Sequence, residues 1–142
     1  MEKERPVEIS LGKSLPELKR RVTQEQINLY AQASRDFNPI HIDEEFARKT
    51  PLGGTIAHGM LLLAYISQVM TRAFGESWLT GGRLSVRFKS PARPGDTITV
   101  SGKISKVELQ GDQTRVICEA VCQNQKGETI ITAEAGVRLR NP

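Results

Sequence analysis

The sequence predicts an α+β domain in which an antiparallel sheet wraps over one buried helix. Three observations predict it. Ile56 to Phe74 is apolar over helical length, the pattern changes to period two after Gly81-Gly82, and turn signals then divide the rest into strands. At 142 residues the chain fits one domain, spanning 1–142, long enough to bury a core without metal or disulfide staples.

An extended segment is expected around Leu15 to Val22. TQEQINLYAQAS then carries helix signals: Thr23 serves as N-cap with Gln26 three positions on, and Ile27, Tyr30 and Ala31 share one face. A short second helix is expected at Asp43 to Lys49, capped by Asp43, which leaves 36–41 as loop. The first half of Ile56 to Phe74 is apolar nearly all round, the mark of a buried helix. In the strand region Leu84, Val86 and Phe88 alternate with Ser85 and Arg87. Pro94-Gly95-Asp96, Gly111-Asp112 and Lys126-Gly127 separate strands near 97–108, 114–124 and 129–139. In the last of these Ile131, Ala133, Ala135, Val137 and Leu139 fall on one face. A small sheet around one helix leaves exposed edges, and pairing an edge between two subunits removes one, so a homodimer is expected.

Composition excludes several classes. Charged and apolar fractions of 25% and 38% are those of a globular protein and not of a disordered one. The net charge of +4 is spread out, with Lys19 to Arg21 its densest cluster, so no nucleic-acid groove is expected, although a mild positive field favours a phosphate-bearing ligand. The segment MEKERPVEIS lacks the apolar core of a secretory signal. The apolar run Gly59 to Ile66 is too short and too interrupted to span a bilayer. Cys118 and Cys122 lie in one expected strand, which puts their Cα atoms roughly 13 Å apart, beyond disulfide reach. Both read as small core residues of a reduced, cytoplasmic protein.

Two stretches carry chemistry. In DFNPIHIDEEFA, Asp36 stands five positions before His41. A straight strand would send them to opposite faces, and a helix would rotate them about 500° apart. Pro39 disfavours helix at Asn38 and turns the chain, while Asn38 can hydrogen-bond locally to hold the bend. The turn lets a carboxylate and an imidazole converge on one water and move a proton to or from it. The bland alternative is an Asx-Pro turn in which Asp36 braces a helix end and His41 is a surface residue. His41 and His58 lack a close metal-ligand spacing, and no metal is expected.

In IAHGMLLLAYIS, Gly59 falls in the first turn of the buried helix, where its amide is free and the helix dipole favours a polarised oxygen. Such a donor suits a thioester carbonyl becoming an enolate. Alternatively Gly59 only lets the helix pack closely. Ser67 is a hydroxyl directly after the apolar half of the helix, either bonding back to its own backbone or facing a cavity.

The pairing of DFNPIHIDEEFA with IAHGMLLLAYIS resembles the hydratase motif of the MaoC-like, (R)-specific enoyl-CoA hydratase family, and GGRLSVRFKSPARPGDTI looks like the strand–turn–strand that follows it there. The resemblance implies a hot-dog fold paired into a dimer and the reversible syn addition of water to a 2-enoyl thioester, carried on CoA or on acyl-carrier protein. It implies Asp36 and His41 as the catalytic pair and Gly59 as the donor to the thioester oxygen. Ser67 takes the place of the family's active-site serine, with Asn38 assigned beside it to substrate binding. No nicotinamide, flavin or metal cofactor is implied. Two alternatives stand against this. A hot-dog thioesterase would use an acid on the central helix, and Ile56 to Phe74 has none. A non-catalytic acyl-CoA-binding module would need no acid–base pair. Leu62, Leu63 and Met70 are candidates for shaping an acyl tunnel, and Arg87, Lys89 and Arg93 for meeting CoA phosphates.

Overall fold

A computed structural model describes residues 9–141 of the chain, so most of the charged N-terminal segment read against a secretory signal lies outside the described residues. The elements run β1 (Leu18–Arg21), α1 (Gln24–Ser34), α2 (Pro39–Ile42), α3 (Glu44–Arg48), α4 (Gly59–Phe74), α5 (Glu76–Gly81), β2 (Arg83–Phe88), β3 (Thr97–Gln110), β4 (Gln113–Gln123) and β5 (Thr129–Arg140). The strands form one antiparallel sheet in the order β1-β3-β4-β5-β2. β1 forms within the extended Leu15 to Val22 segment, and Ser14 adds a bridge to Lys103. The β3–β4 hairpin turns through Gly111 at φ 63°, a left-handed conformation that glycine adopts without steric cost.

Period-two patterning places one face of each long strand against α4. Ile98, Val100 and Ile104 of β3, Val116, Cys118 and Cys122 of β4, and Ile131, Ala135 and Val137 of β5 are buried with Ile66, Val69 and Met70 of the helix. Fully burying an aliphatic side chain of this kind stabilises the fold by roughly 1.5–3 kcal/mol. Both cysteines are free, and burial pushes their thiols up to about 11 for Cys118 and about 12 for Cys122.

The structure corrects the sequence expectations in three places. Residues 36–41 are not all loop, because Pro39 opens α2 at its first position, where a missing N–H costs nothing, with Asn38 as N-cap. The long helix begins at Gly59 and not at Ile56. Residues 56 and 57 stay outside the helix because the Ile56 amide donates to the Ile40 carbonyl (3.2 Å) and the Ala57 amide to the Ala92 carbonyl (2.8 Å). That helix is also not buried all round, since Met60 is 56% exposed. The stretch after it, to which the sequence assigned no element, folds as α5 and buries Trp78 against α4.

Candidate active site

Helix capping builds the approach to the site. Thr23 caps α1 by accepting from the Gln26 amide at 3.1 Å. The chain leaves α1 through Arg35 and makes an Asx turn, in which Asp36 Oδ1 accepts from the Asn38 amide at 3.2 Å. Asn38 Oδ1 in turn accepts from the Ile40 amide at 3.1 Å and starts α2, which carries His41. Asp43 then caps α3 by accepting from the Phe46 amide. The bland role foreseen for Asp36, bracing a helix end, thus holds indirectly, through the turn that sets the α2 cap Asn38, and it occupies only Oδ1.

Oδ2 points elsewhere. It lies 3.9 Å from His41 Nε2, with Asp36 half exposed and His41 mostly enclosed. Nδ1 of His41 is 2.8 Å from the Ile56 carbonyl, which can only accept. In the neutral ring Nδ1 therefore carries the proton, and Nε2 presents a lone pair toward the carboxylate. The separation is too long for a direct hydrogen bond and suits a shared water, whose oxygen would stand about 2.8 Å from each acceptor.

His41 is held from behind as well. Gln24 Nε2 donates to the His41 carbonyl at 2.8 Å, and Gln24 Oε1 accepts from the buried Thr55 hydroxyl at 2.7 Å. The same hydroxyl lies 3.1 Å from Glu44 Oε2, which also accepts from the Thr55 amide. These bonds to Thr55, foremost that from its amide, and those to Arg48 hold the Glu44 carboxyl below its ordinary value. Three helices and the segment before α4 are thus tied to one short turn. Gln24, Glu44 and Thr55 carry no motif, and their convergence depends on tertiary structure that periodicity cannot reveal.

His58, the residue before α4, is 2% exposed and stacks on His41 with ring centroids 3.8 Å apart and planes 25° apart. Its Nε2 donates to the Asp36 carbonyl at 3.0 Å. Burial, chiefly, lowers its basicity below the ordinary imidazole value, and neighbouring His41 adds to that effect. The bond to the Asp36 carbonyl and the Asp36 charge oppose it. Donor atoms of Asp36, His41 and His58 lie within 4.8 Å of one another, a spacing that invites a metal. The stacked rings fit one poorly, because lone pairs in nearly parallel planes run side by side and do not meet at an ion.

Gly59 heads α4, and its amide has no intrahelical acceptor. A Cβ at this position would stand 2.7 Å from Phe88 Cε1, so the ring at the end of β2 lies directly on the glycine. Close packing, the bland reading of Gly59, thus holds alongside any role for its amide. Beside them opens a largely apolar cavity of about 380 Å³, lined among others by His41, Ile56, Gly59, Leu62, Phe88 and Ile130. Of the tunnel candidates, Leu62 lines this cavity, Leu63 is not among its lining residues, and Met70 is fully buried in the core. Lys89 reaches the rim, whereas Arg87 lies by the groove formed with Glu119 and Thr132.

Ser67 stands apart from the dyad, eight residues down α4 and so about 12 Å along its axis from Gly59. Its Oγ accepts from the Trp78 indole at 3.0 Å. Asp36, His41, Gly59 and Asn38 are thus brought to one place, and Ser67 belongs to the α4–α5 contact.

An antiparallel sheet over a central helix, with a carboxylate and a lone-pair-bearing imidazole beside an apolar cavity, defines a hot-dog protein equipped for acid–base chemistry. Comparison with known proteins names the group. Residues 8–129 match the family model described as MaoC like domain, and the chain belongs to that family. It is 34% identical to the (R)-specific enoyl-CoA hydratase of Rhodospirillum rubrum over 123 residues, covering 86% of this chain and 83% of that protein. Among solved structures, the (R)-hydratase of A. caviae involved in PHA biosynthesis superposes with a TM-score of 0.77 at 28% identity, covering 94% of this chain and 98% of that one. A protein of Archaeoglobus fulgius described as a monoamine oxidase regulatory protein superposes with a TM-score of 0.81 at 32% identity, covering 94% and 92%.

Proposed function

We propose that the chain is an (R)-specific enoyl-CoA hydratase, or equally a 3-hydroxyacyl-thioester dehydratase, adding water reversibly to a trans-2-enoyl thioester. One observation carries the assignment of the site: Asp36 Oδ2 and the His41 Nε2 lone pair face each other across 3.9 Å. A water between them donates one hydrogen to each, which leaves its oxygen electron pair free to attack C3. As the O–C3 bond forms, the alkene electrons move toward the thioester carbonyl, and the Gly59 amide at the head of α4 stabilises the charge there. The proton taken by the pair is returned to C2 from the same side, so oxygen and hydrogen arrive on one face. Oxidation state does not change overall, and the reaction calls for no redox cofactor.

The cavity beside Gly59 suits the acyl chain, and Lys89 at its rim suits the phosphates of a CoA or carrier-protein arm. Asn38 Nδ2 remains to meet substrate while Oδ1 caps α2. The Ser67 hydroxyl keeps a hydrogen to donate, because its oxygen accepts from Trp78. The free buried thiols fit a reducing cytoplasm. A passive binding module would have no use for a tautomer-fixed base, and a thioesterase of the helix-acid type is disfavoured because α4 carries no Asp or Glu.

A homodimer completes this reading. β2 ends the sheet, bonded to β5 on one side. Around it Phe37, Met60 and Phe88 are each more than half exposed beside Asp36 and Gly59. A second copy pairing at β2 would cover this apolar rim.

The test is to mix purified protein with crotonyl-CoA and follow the enoyl-thioester absorbance, with Asp36→Asn alongside. Wild type is expected to consume the signal, and the variant to be slower by about 10²–10⁴-fold while still folded. Full activity in Asp36→Asn would remove the dyad from the mechanism.

A further inference from the structure

The water addition leaves one buried imidazole without a part. His58 Nδ1 is enclosed and has no hydrogen-bond partner among the described residues. An unpaired buried acceptor weakens a fold, and an apolar ring of similar size would avoid that cost. What the imidazole provides instead is contact with both members of the acid–base pair. Its Nε2 donates to the Asp36 main-chain carbonyl at 3.0 Å, and its face lies against His41 at 3.8 Å. Tyr30 approaches the same ring, tilted by 58° at 4.9 Å, so His58 is itself held. Neither His58 nitrogen is aimed at the cavity beside Gly59, whose lining includes His41 and not His58.

We propose that His58 is a positioning residue for hydration: it anchors the main chain carrying Asp36 and supplies the plane on which His41 rests, so that Oδ2 and Nε2 stay opposed across one water. This rests on Asp36 and His41 being the acid–base pair. A free His41 ring could rotate about χ2 and offer Nδ1 or Nε2 to the water. Stacking on His58 together with the bond to the Ile56 carbonyl leaves it one orientation. A small loss of alignment is costly, since a shift of about 1 Å between reacting groups can lower a rate about 10²-fold.

Two readouts test it. The chain has two histidines, so ¹⁵N-labelled protein gives two imidazole spin systems that report tautomers without any turnover. Wild type is expected to show His41 protonated at Nδ1 and His58 at Nε2. His58→Phe keeps a flat ring and drops the donor, whereas His58→Gln keeps a donor at similar reach and drops the ring. In each folded variant kcat on crotonyl-CoA is expected to fall about tenfold or more, with KM within about twofold, because His58 does not touch substrate. His41 is expected to become a mixture of tautomers, most clearly in His58→Gln, while the thermal midpoint of His58→Phe holds. Wild-type kcat or an unmixed His41 signal in both variants would overturn the proposal. So would failure of both to fold, which would make His58 an ordinary core residue. An inactive wild type would count against the hydratase reading alone, and the tautomer spectra would then decide the positioning role.

Discussion

Burial disfavours the charged form of His58, and that shift shapes the response to acid. Its basicity is lowered from the ordinary value of 6.5 by burial, then by His41, against the pull of the Asp36 carbonyl and carboxylate. The unfolded chain therefore takes up its proton at a higher pH than the folded chain does, so stability declines as pH falls below about 6.5. Glu44 is shifted the same way from 4.5, so its contribution is kept until lower pH and lost only beneath that value. The thermal midpoint is expected to fall in two limbs, and His58→Phe should erase the upper one. A variant curve parallel to wild type across pH 6.5 would show that His58 titrates normally. At this scale the motif singled out Asp36, His41, Gly59 and Asn38, which the structure gathers in one place, and Ser67, which it sets in the α4–α5 contact. It did not reveal the supporting contacts of Gln24, Glu44, Thr55 and His58, since each depends on a partner from another element.

Among the elements, α2 shows how a correct local rule can yield an incomplete inference. Pro39 does keep Asn38 out of helical geometry, yet a proline is well suited to the first helical position and so begins a helix there. Strands were legible because period-two patterning and glycine turns are local properties, and β3 to β5 fall within two residues of their expected limits. α5 was not, because ESWLTG has little periodicity and forms by packing Trp78 on α4. The start of α4 permits a sharp test. Gly59→Ala adds a Cβ facing the outer edge of the Phe88 ring, a side-chain contact that a small rotation relieves, while alanine favours helix by up to about 1 kcal/mol. The thermal midpoint should therefore change little, and kcat/KM should fall because the displaced ring lines the cavity. A variant that melts much earlier would mean that Phe88 cannot give way.

The molecule as a whole ends its sheet at β1 on one side and β2 on the other. Pairing at β2 predicts a dimer by light scattering, and Val86→Pro, which removes a backbone donor from that strand, should shift it toward monomer. A monomeric wild type at micromolar concentration would exclude the arrangement.

The opposite edge has a different consequence. β1 has only four residues and is bonded to β3 alone, Leu18 meeting Val100 from more than half the chain away. Gln24, which holds the His41 carbonyl, follows it almost immediately. Short edge strands open locally at less cost than the global unfolding free energy. When β1 opens on heating, the brace behind His41 should loosen while the rest of the sheet and α4 remain intact. Thermal inactivation is therefore expected to run several degrees ahead of the loss of ellipticity and to reverse on cooling. Early deuterium uptake at Leu18–Arg21 should accompany it, and coincident inactivation and unfolding curves would show that this edge opens only with the whole.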